Sequence, residues 1–143
     1  MNSFQTVYRV SYSDTDQMGF MHHSNYLKYY ETARWELFRS IGIPYPEIEK
    51  DGIILPVINA SLKFIKPTYY DQKILINTKL KTQSGARIIF DYQIINEAGE
   101  IINEAQITVA CVKKSTGKAC SPPKKIRDAL YGLTDESTRL SYD

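Results

Sequence analysis

The hydrophobic period of this chain changes twice, and this change constrains the fold more than any other feature of the sequence. Between residues 4 and 12, apolar and polar residues alternate, which is typical of a half-buried strand. From about Ser24 to Ile41, apolar residues recur at three- and four-residue steps, which predicts a helix. Alternation then returns in four runs, at 58–64, 74–80, 88–94 and 101–111. The sequence therefore predicts one strand, one long helix and four further strands.

The predicted helix has recognisable ends. Ser24 or Asn25 can act as N-cap, because either side chain can accept a hydrogen bond from a free amide of the first turn. Gly42 is the matching stop, since glycine readily adopts the left-handed conformation that ends a helix. Within the helix, the three-residue spacing of Glu31 and Arg34 predicts an ion pair. No second helix is predicted in the following loop, which contains two prolines.

An α+β fold follows from these elements. Short connections around Gly85 and Gly99 predict that the last three strands form an antiparallel meander. The single helix should lie across the apolar face of the sheet. Because one helix cannot cover five strands and edge strands need partners, we expect at least a homodimer. We expect one domain over residues 1–143, with a core at about 4–113 and a basic tail at 114–143, in which Pro122 and Pro123 open a short helix ending near Tyr131.

Composition excludes several classes of protein. Lysine and arginine total 18 against 16 acidic residues, and a net charge of +2 argues against a dedicated nucleic-acid binder. A hydrophobic fraction of 43% excludes global disorder. No stretch approaches the ~18 apolar residues of a membrane span, and the N-terminus lacks the apolar core of a secretory signal. Cys111 and Cys120 therefore fit free thiols better than a disulfide, and we expect a cytoplasmic protein.

The loop between the first strand and the helix carries the residues with the most chemistry. It leads into a helix start, where free backbone amides and the positive end of the helix dipole face outward. A carboxylate placed there can act as a base or a nucleophile, and the amides can polarise a carbonyl group. Neither role requires a metal ion.

Other interpretations of this loop remain open at this point. Asp14 or Asp16 can simply cap a turn by accepting hydrogen bonds from amides two residues further on. Together with His22 and His23 they could also form a metal site, although adjacent histidines usually point apart. The two cysteines lack a placed histidine partner, which disfavours a thiol nucleophile. Spacing alone does not decide among these possibilities.

The loop and the helix start resemble the signature of a known family. The residues DTDQMGFMHHSNY at 14–26, followed by YYETAR at 29–34, are similar to those of hotdog-fold acyl-CoA thioesterases. The nearest groups are the 4-hydroxybenzoyl-CoA thioesterase type and the Tol-Pal-associated thioesterases, and the likeness covers about residues 7–113. It implies a curved five-stranded antiparallel sheet wrapped around one long helix, and hydrolysis of acyl-CoA without a metal or tightly bound cofactor. We further expect homodimers that pair into tetramers.

The resemblance also implies roles for individual residues. Asp16 matches the catalytic carboxylate, and Gly19 matches the glycine that follows it and is expected to help bind substrate. The backbone amide of His23 matches the group that polarises the thioester carbonyl. Tyr26 is expected to line the acyl pocket, and Asp14 to support the loop. Whether the Asp16 carboxylate attacks the carbonyl carbon or activates water stays open.

Several features leave the substrate undefined. Met18 and His22 occupy positions where the family often has a small residue and an aromatic one, so the size of the acyl pocket is not set. A non-catalytic module that binds acyl-CoA or a protein is the alternative function. The basic residues at 113–127, with Lys63, Lys66 or Arg87, are either a solvated surface or contacts for the phosphates of a nucleotide-bearing substrate.

Tyrosine is unusually frequent, with 11 residues in the chain. Because tyrosine has an apolar body and a polar tip, such a surplus is typical of clefts and interfaces. Tyr26, Tyr29 and Tyr30 crowd the helix start, and we expect them to line an acyl cleft at a dimer interface.

Overall fold

The computed structural model describes residues 3–133 and shows a five-stranded antiparallel sheet with one long helix packed against one face. The strands are β1 (Ser3–Arg9), β2 (Ile53–Ile54), β3 (Val57–Phe64), β4 (Lys73–Ser84), β5 (Arg87–Asn96), β6 (Ile101–Ala110), β7 (Val112–Lys113) and β8 (Lys118–Ala119). The helices are α1 (Tyr26–Ser40), α2 (Tyr45–Lys50) and α3 (Lys124–Tyr131), and two 3₁₀ turns, Tyr12–Asp14 and His23–Asn25, precede α1. The predicted order of strand, helix and four strands is confirmed. The predicted C-terminal helix is confirmed as α3, and the remainder of the tail, 134–143, lies outside the described residues.

The strand order of the large sheet is β1-β4-β5-β6-β3. All of its pairs are antiparallel, and β4, β5 and β6 form the predicted meander. The strand after the helix, β3, pairs only with β6 among the described strands and forms one edge of the sheet, while β1 forms the other. A small second sheet has the order β2-β7-β8.

The hydrophobic core lies between α1 and the inner face of the sheet, which is the face that carries the buried residues of β4 and β5. Alternation along these strands directs the following residues into the core: Ile74, Ile76, Thr78, Leu80, Ile88, Phe90, Tyr92 and Ile94. Helix α1 contributes Tyr30, Ala33, Leu37 and Phe38, all nearly inaccessible to solvent. Phe38 and Phe90 pack edge to face, with ring centroids 5.8 Å apart. Burying each such side chain stabilises the fold by about 2–3 kcal/mol, so this layer fixes α1 on the sheet.

The ends of α1 differ from the prediction in detail. The helix begins at Tyr26 rather than Ser24, because residues 23–25 form a 3₁₀ turn. Asn25 occupies the N-cap position but does not cap the helix, since its side-chain amide donates to the Asp14 carbonyl oxygen at 2.9 Å. At the other end Gly42 has φ +83°, which confirms it as the helix stop. Leu27 shares the apolar helical period of this segment but is 42% exposed and lies outside the core.

Two further predictions are wrong. Arg34 forms no ion pair with Glu31; it is buried and donates to the Tyr92 hydroxyl at 3.1 Å, because its helix position faces the sheet rather than solvent. The loop after α1 contains the helix α2, which has Pro44 as N-cap and Pro46 in its first turn. Proline is tolerated there because the first amides of a helix need no intrahelical acceptor.

Helix α1 leaves part of the sheet uncovered. It packs against β1, β4 and β5, whereas β3 is exposed along nearly its whole length. Val57, Ile58 and Phe64 of β3 are 46%, 50% and 53% exposed. Within residues 3–133, no helix has the length and apolar character needed to cross a membrane.

Candidate active site

The loop that joins β1 to α1 folds into a tight turn held by backbone hydrogen bonds. The Asp16 amide donates to the Phe20 carbonyl at 2.8 Å, and the Gly19 amide donates to the Asp16 carbonyl at 3.0 Å. A second loop supports it, because the Met21 amide donates to the Thr68 carbonyl at 2.8 Å. The turn therefore holds Asp16 in a fixed position just before the helix start.

The Asp16 carboxylate both caps this turn and faces a cleft. Its Oδ1 accepts hydrogen bonds from the Met18 amide at 2.8 Å and the Phe20 amide at 3.2 Å. The turn-capping interpretation of Asp16 is thus correct for one oxygen. Nothing among residues 3–133 donates to the other oxygen, Oδ2, and the side chain is exposed at the cleft. One carboxylate oxygen is therefore fixed while the other can react.

The helix start presents an open backbone amide at His23. The neighbouring amides are engaged, since His22 donates to the Asp14 carbonyl at 2.9 Å and Ser24 donates to His22 Nδ1 at 3.2 Å. Within the described part of the chain the His23 amide has no acceptor. An open amide at the positive end of a helix can hold a developing negative charge.

These groups meet in a cleft of about 370 Å³. Its walls are formed by Asp16, Met21, His22, His23, Tyr26, Phe64, Ile65, Lys66 and Pro67. The structure thus brings together three of the four predicted site residues, and Gly19 lies outside the lining. Tyr26 and Phe64 pack edge to face at 5.2 Å and form an aromatic wall.

The wall contributed by the end of β3 was not foreseen from the sequence as part of the site. Phe64, Ile65 and Pro67 appear there only as the end of an alternating strand, and the topology that sets β3 beside the helix start is not visible in the chain. Lys66 was foreseen as a possible phosphate contact, and it does line the cleft, where its ammonium group pairs with Glu100.

The other basic candidates lie elsewhere. Lys63 lines a groove on the outer sheet face, which is the face away from α1. Arg87 begins β5 and lies opposite Ala110, at the far end of β6. In the basic C-terminal region, Lys124 pairs with Asp128 and Lys125 pairs with Glu47. These contacts favour the interpretation of that region as a solvated surface.

Tyr29 and Tyr30 do not line the cleft, contrary to the prediction. Both are buried residues of α1 itself. The Tyr29 hydroxyl donates to Asp14 Oδ2 at 2.6 Å, and the Tyr30 hydroxyl donates to Asn103 Oδ1 at 2.5 Å. Burial, together with the nearby charge of Asp14, raises the pKa of Tyr29. Of the three tyrosines at the helix start, only Tyr26 faces the cleft.

Asp14 supports the loop from inside the protein. It is 4% exposed, and its two oxygens accept from the Lys28 ammonium group and the Tyr29 hydroxyl. Burial acts to raise the pKa of Asp14, but the hydrogen bonds from Lys28 and Tyr29 and the Lys28 charge outweigh it and hold the pKa below its usual value. Asp14 thus ties the loop to α1. Among residues 3–133, no group of three His, Cys, Asp or Glu side chains is placed to hold a metal ion.

The variant Asp14→Asn is expected to lose about 2 kcal/mol of unfolding free energy at pH 7, because it removes charge-assisted hydrogen bonds from a buried site. The pKa of Asp14 is lower in the folded protein than in the unfolded chain. This stabilisation is therefore present above the ordinary carboxyl pKa and is lost as the pH falls through the pKa of folded Asp14. Urea denaturation of both proteins from pH 7 to pH 2 should show the difference shrinking toward low pH. The exposed Asp71→Asn is the control, and an equal effect of both substitutions would contradict the assignment.

Gly19 adopts a conformation that other residues avoid, with φ +85°. An added Cβ would meet the Tyr70 ring at 3.6 Å, an ordinary contact, so the strain of Gly19→Ala is in the backbone. We expect a loss of about 1–2 kcal/mol in stability and, because the turn carries Asp16, a roughly tenfold lower kcat/KM. Gly52→Ala, at φ +84°, is the matched control. It should lose similar stability without losing activity, and equal activity losses in both variants would refute a role of this turn.

Comparison with known proteins shows which proteins this chain is similar to. The model of the thioesterase-like superfamily matches residues 10–130. YneP of Bacillus subtilis (strain 168) is 34% identical over 109 residues, 76% of this chain and 79% of YneP. The acyl-CoA thioester hydrolase YbgC of Escherichia coli O157:H7 is 28% identical over 123 residues, 86% of this chain and 92% of YbgC. A crystal structure of DHNA-CoA thioesterase from Staphylococcus aureus aligns with a TM-score of 0.88 and 29% identity, over 93% of this chain and 91% of that chain. The predicted hotdog fold is confirmed.

Proposed function

Because this chain belongs to the thioesterase-like superfamily and is a hydrolase acting on thioester bonds, we propose that the cleft beside α1 hydrolyses acyl-CoA with Asp16 as its catalytic carboxylate. One observation carries this proposal. The Asp16 carboxylate, which has one oxygen without a donor, and the open His23 amide line the same cleft. A metal-dependent route finds no support in the arrangement of Asp14, which is held by Lys28 and Tyr29 rather than directed toward Asp16.

In the proposed reaction, the His23 amide acts on the carbonyl oxygen of the thioester and Asp16 acts at its carbonyl carbon. The His23 amide donates to the carbonyl oxygen and stabilises the negative charge that develops there. Asp16 Oδ2 either attacks the carbonyl carbon, forming an anhydride that water then hydrolyses, or removes a proton from an attacking water. In both routes the carbon–sulfur bond breaks, CoA leaves as its thiolate and takes up a proton, and the acyl group leaves as the free acid.

The remaining walls of the cleft suit the two ends of the substrate. Tyr26 and Phe64 offer an aromatic surface for the acyl group. Lys66, exposed at the rim, is placed to contact a phosphate of CoA. Gly19 contributes by shaping the turn. Since the aligned Staphylococcus aureus protein is a DHNA-CoA thioesterase, aromatic acyl-CoAs are the first substrates to test.

A panel of short, long and aromatic acyl-CoAs, with release of the CoA thiol as the readout, tests this function. We expect steady-state hydrolysis of at least one class. Stabilisation by acyl-CoA without release of thiol from any member would instead indicate a non-catalytic binding module. Cytoplasmic location stays a prediction.

The active form is proposed to be a homodimer that pairs through β3. This strand has a free edge, exposes apolar side chains and ends in Phe64 and Ile65 at the cleft. Antiparallel pairing of two β3 strands would give the unpaired backbone N–H and C=O groups of both edges hydrogen-bond partners. It would also cover the apolar side chains and close each cleft with the partner chain. We further propose that two dimers form a tetramer, which light scattering distinguishes as four rather than two chains of 16.4 kDa.

The variant Ile58→Lys is expected to weaken this dimer by about 100-fold, because a charge on a sheet edge opposes pairing with a second copy. Ile58 is 50% exposed, so the substitution should leave the fold of each chain intact. Light scattering across a dilution series should show monomers at concentrations where the wild type is dimeric, with lower activity. Val7→Lys on the other edge is the control, at 56% exposure. Dissociation by Val7→Lys instead would place the interface on β1.

A further inference from the structure

The C-terminal hairpin holds the only two cysteines of the chain side by side. Cys111 precedes β7 and Cys120 follows β8, and the pairing of Val112 with Ala119 sets the cysteines opposite each other. The Cys120 amide donates to the Cys111 carbonyl at 2.9 Å. The two Sγ atoms are 3.5 Å apart and both thiols are free.

The two thiols differ in their access to solvent. Cys111 is completely buried, whereas Cys120 is only partly buried. Burial, reinforced by the hydrogen bond and the charge of Cys120, raises the pKa of Cys111 to about 12. A reagent in solution therefore meets Cys120 first, and Cys111 can react only with a partner inside the protein.

We propose that Cys111 and Cys120 form a reversible dithiol–disulfide site that exchanges with small disulfides of the glutathione class. Cys120 loses its proton to solvent and attacks one sulfur of the small disulfide, which releases one small thiol and leaves a mixed disulfide on Cys120. Cys111 then attacks Cys120 Sγ, which breaks the mixed disulfide, and the departing sulfur takes up the Cys111 proton and leaves as the second small thiol. Two protein thiols are oxidised and one small disulfide is reduced to two thiols.

The geometry requires little movement for this bond. A disulfide has its sulfurs about 2.05 Å apart, so the two Sγ atoms must approach by about 1.5 Å. The bond would close the short loop between residues 111 and 120 and fasten the end of β6 to the segment that leads into α3. Ile126 and Leu130 of α3 are buried in the core, so this segment contributes to stability.

The site lies far from the proposed catalytic cleft. Asn103 of β6 pairs with Phe64 of the cleft wall, and Cys111 follows eight residues later. At about 3.3 Å per strand residue, this separation is roughly 26 Å. Oxidation should therefore raise stability and leave kcat unchanged.

The test treats the folded, reduced full chain with oxidised glutathione and follows intact mass, peptide mass and thermal unfolding. We expect loss of both thiols together, a peptide cross-linked through Cys111 and Cys120, a rise in Tm of about 5 °C, and reversal by dithiothreitol. A wild-type chain that keeps one glutathione on Cys120, or in which neither thiol reacts until the chain is denatured, would overturn the proposal.

Two variants separate the steps. Cys111→Ser should accumulate the mixed disulfide on Cys120, because the second thiol is missing. Cys120→Ser should remain unmodified, because the buried Cys111 is out of reach of the reagent. Since Cys120 is only partly buried and Cys111 is completely buried, Cys120→Ser should fold even if Cys111→Ser does not. Rapid modification of Cys111 in folded Cys120→Ser would contradict the proposed order.

Discussion

Replacing Asp16 with asparagine is expected to lower kcat for acyl-CoA hydrolysis by about 10³-fold or more, a rise of roughly 4 kcal/mol in the barrier. Asparagine keeps an oxygen that can accept from the Met18 and Phe20 amides, so the turn should remain folded. It has no negative charge, so it can neither attack the carbonyl carbon nor accept a proton from water. Thiol release from the best substrate of the panel measures the effect.

Asp51→Asn provides the matched control for this change. Asp51 is an exposed acid after α2, outside the cleft, and its substitution should leave kcat unchanged. Thermal unfolding should place Asp16→Asn within about 2 °C of the wild type, which separates chemistry from folding. Equal kcat for Asp16→Asn and the wild type would refute the assignment of this carboxylate.

The second large effect is expected from removing a single backbone N–H. In His23→Pro the amide that is proposed to hold the carbonyl oxygen is absent, and kcat should fall by about 10²–10³-fold. The backbone should accept proline here, because proline suits the first turn of a helix. The preceding residue, His22, already has φ −67° and ψ 139°, the extended conformation that a residue before proline takes.

His23→Ala separates the amide from the imidazole ring. Alanine keeps the N–H and removes the ring, so its kcat should stay within about threefold of the wild type. Steady-state kinetics on the same substrate gives kcat for both variants. A large loss in His23→Ala with little further loss in His23→Pro would assign the role to the ring instead.

Local patterns were sufficient to predict the central fold. The two-residue period of β4 and β5 directs Ile76 and Phe90 into the core, and the three- and four-residue steps of α1 do the same for Leu37. These patterns record which face of each element is buried. The resemblance at 14–26 added what periodicity does not carry, namely the placement of Asp16 and His23 on one site.

The parts that were missed depend on how distant elements meet. Arg34 has a helix position next to Glu31, but the sheet offers the Tyr92 hydroxyl as a partner, and no local rule reveals that contact. Tyr29 and Tyr30 resemble cleft residues by composition, yet the buried Asp14 and Asn103 hold their hydroxyl groups. The place of β3 at a sheet edge likewise follows from long-range pairing.

The central claim is that the Asp16 carboxylate and the His23 amide act on the same thioester in one cleft, and the double variant Asp16→Asn, His23→Pro tests it most directly. Groups that act as a unit are strongly non-additive when removed together. We therefore expect kcat/KM of the double variant to lie close to that of the slower single variant. If the double variant instead hydrolyses the substrate at the wild-type rate, neither group acts on the thioester and the proposed active site is wrong.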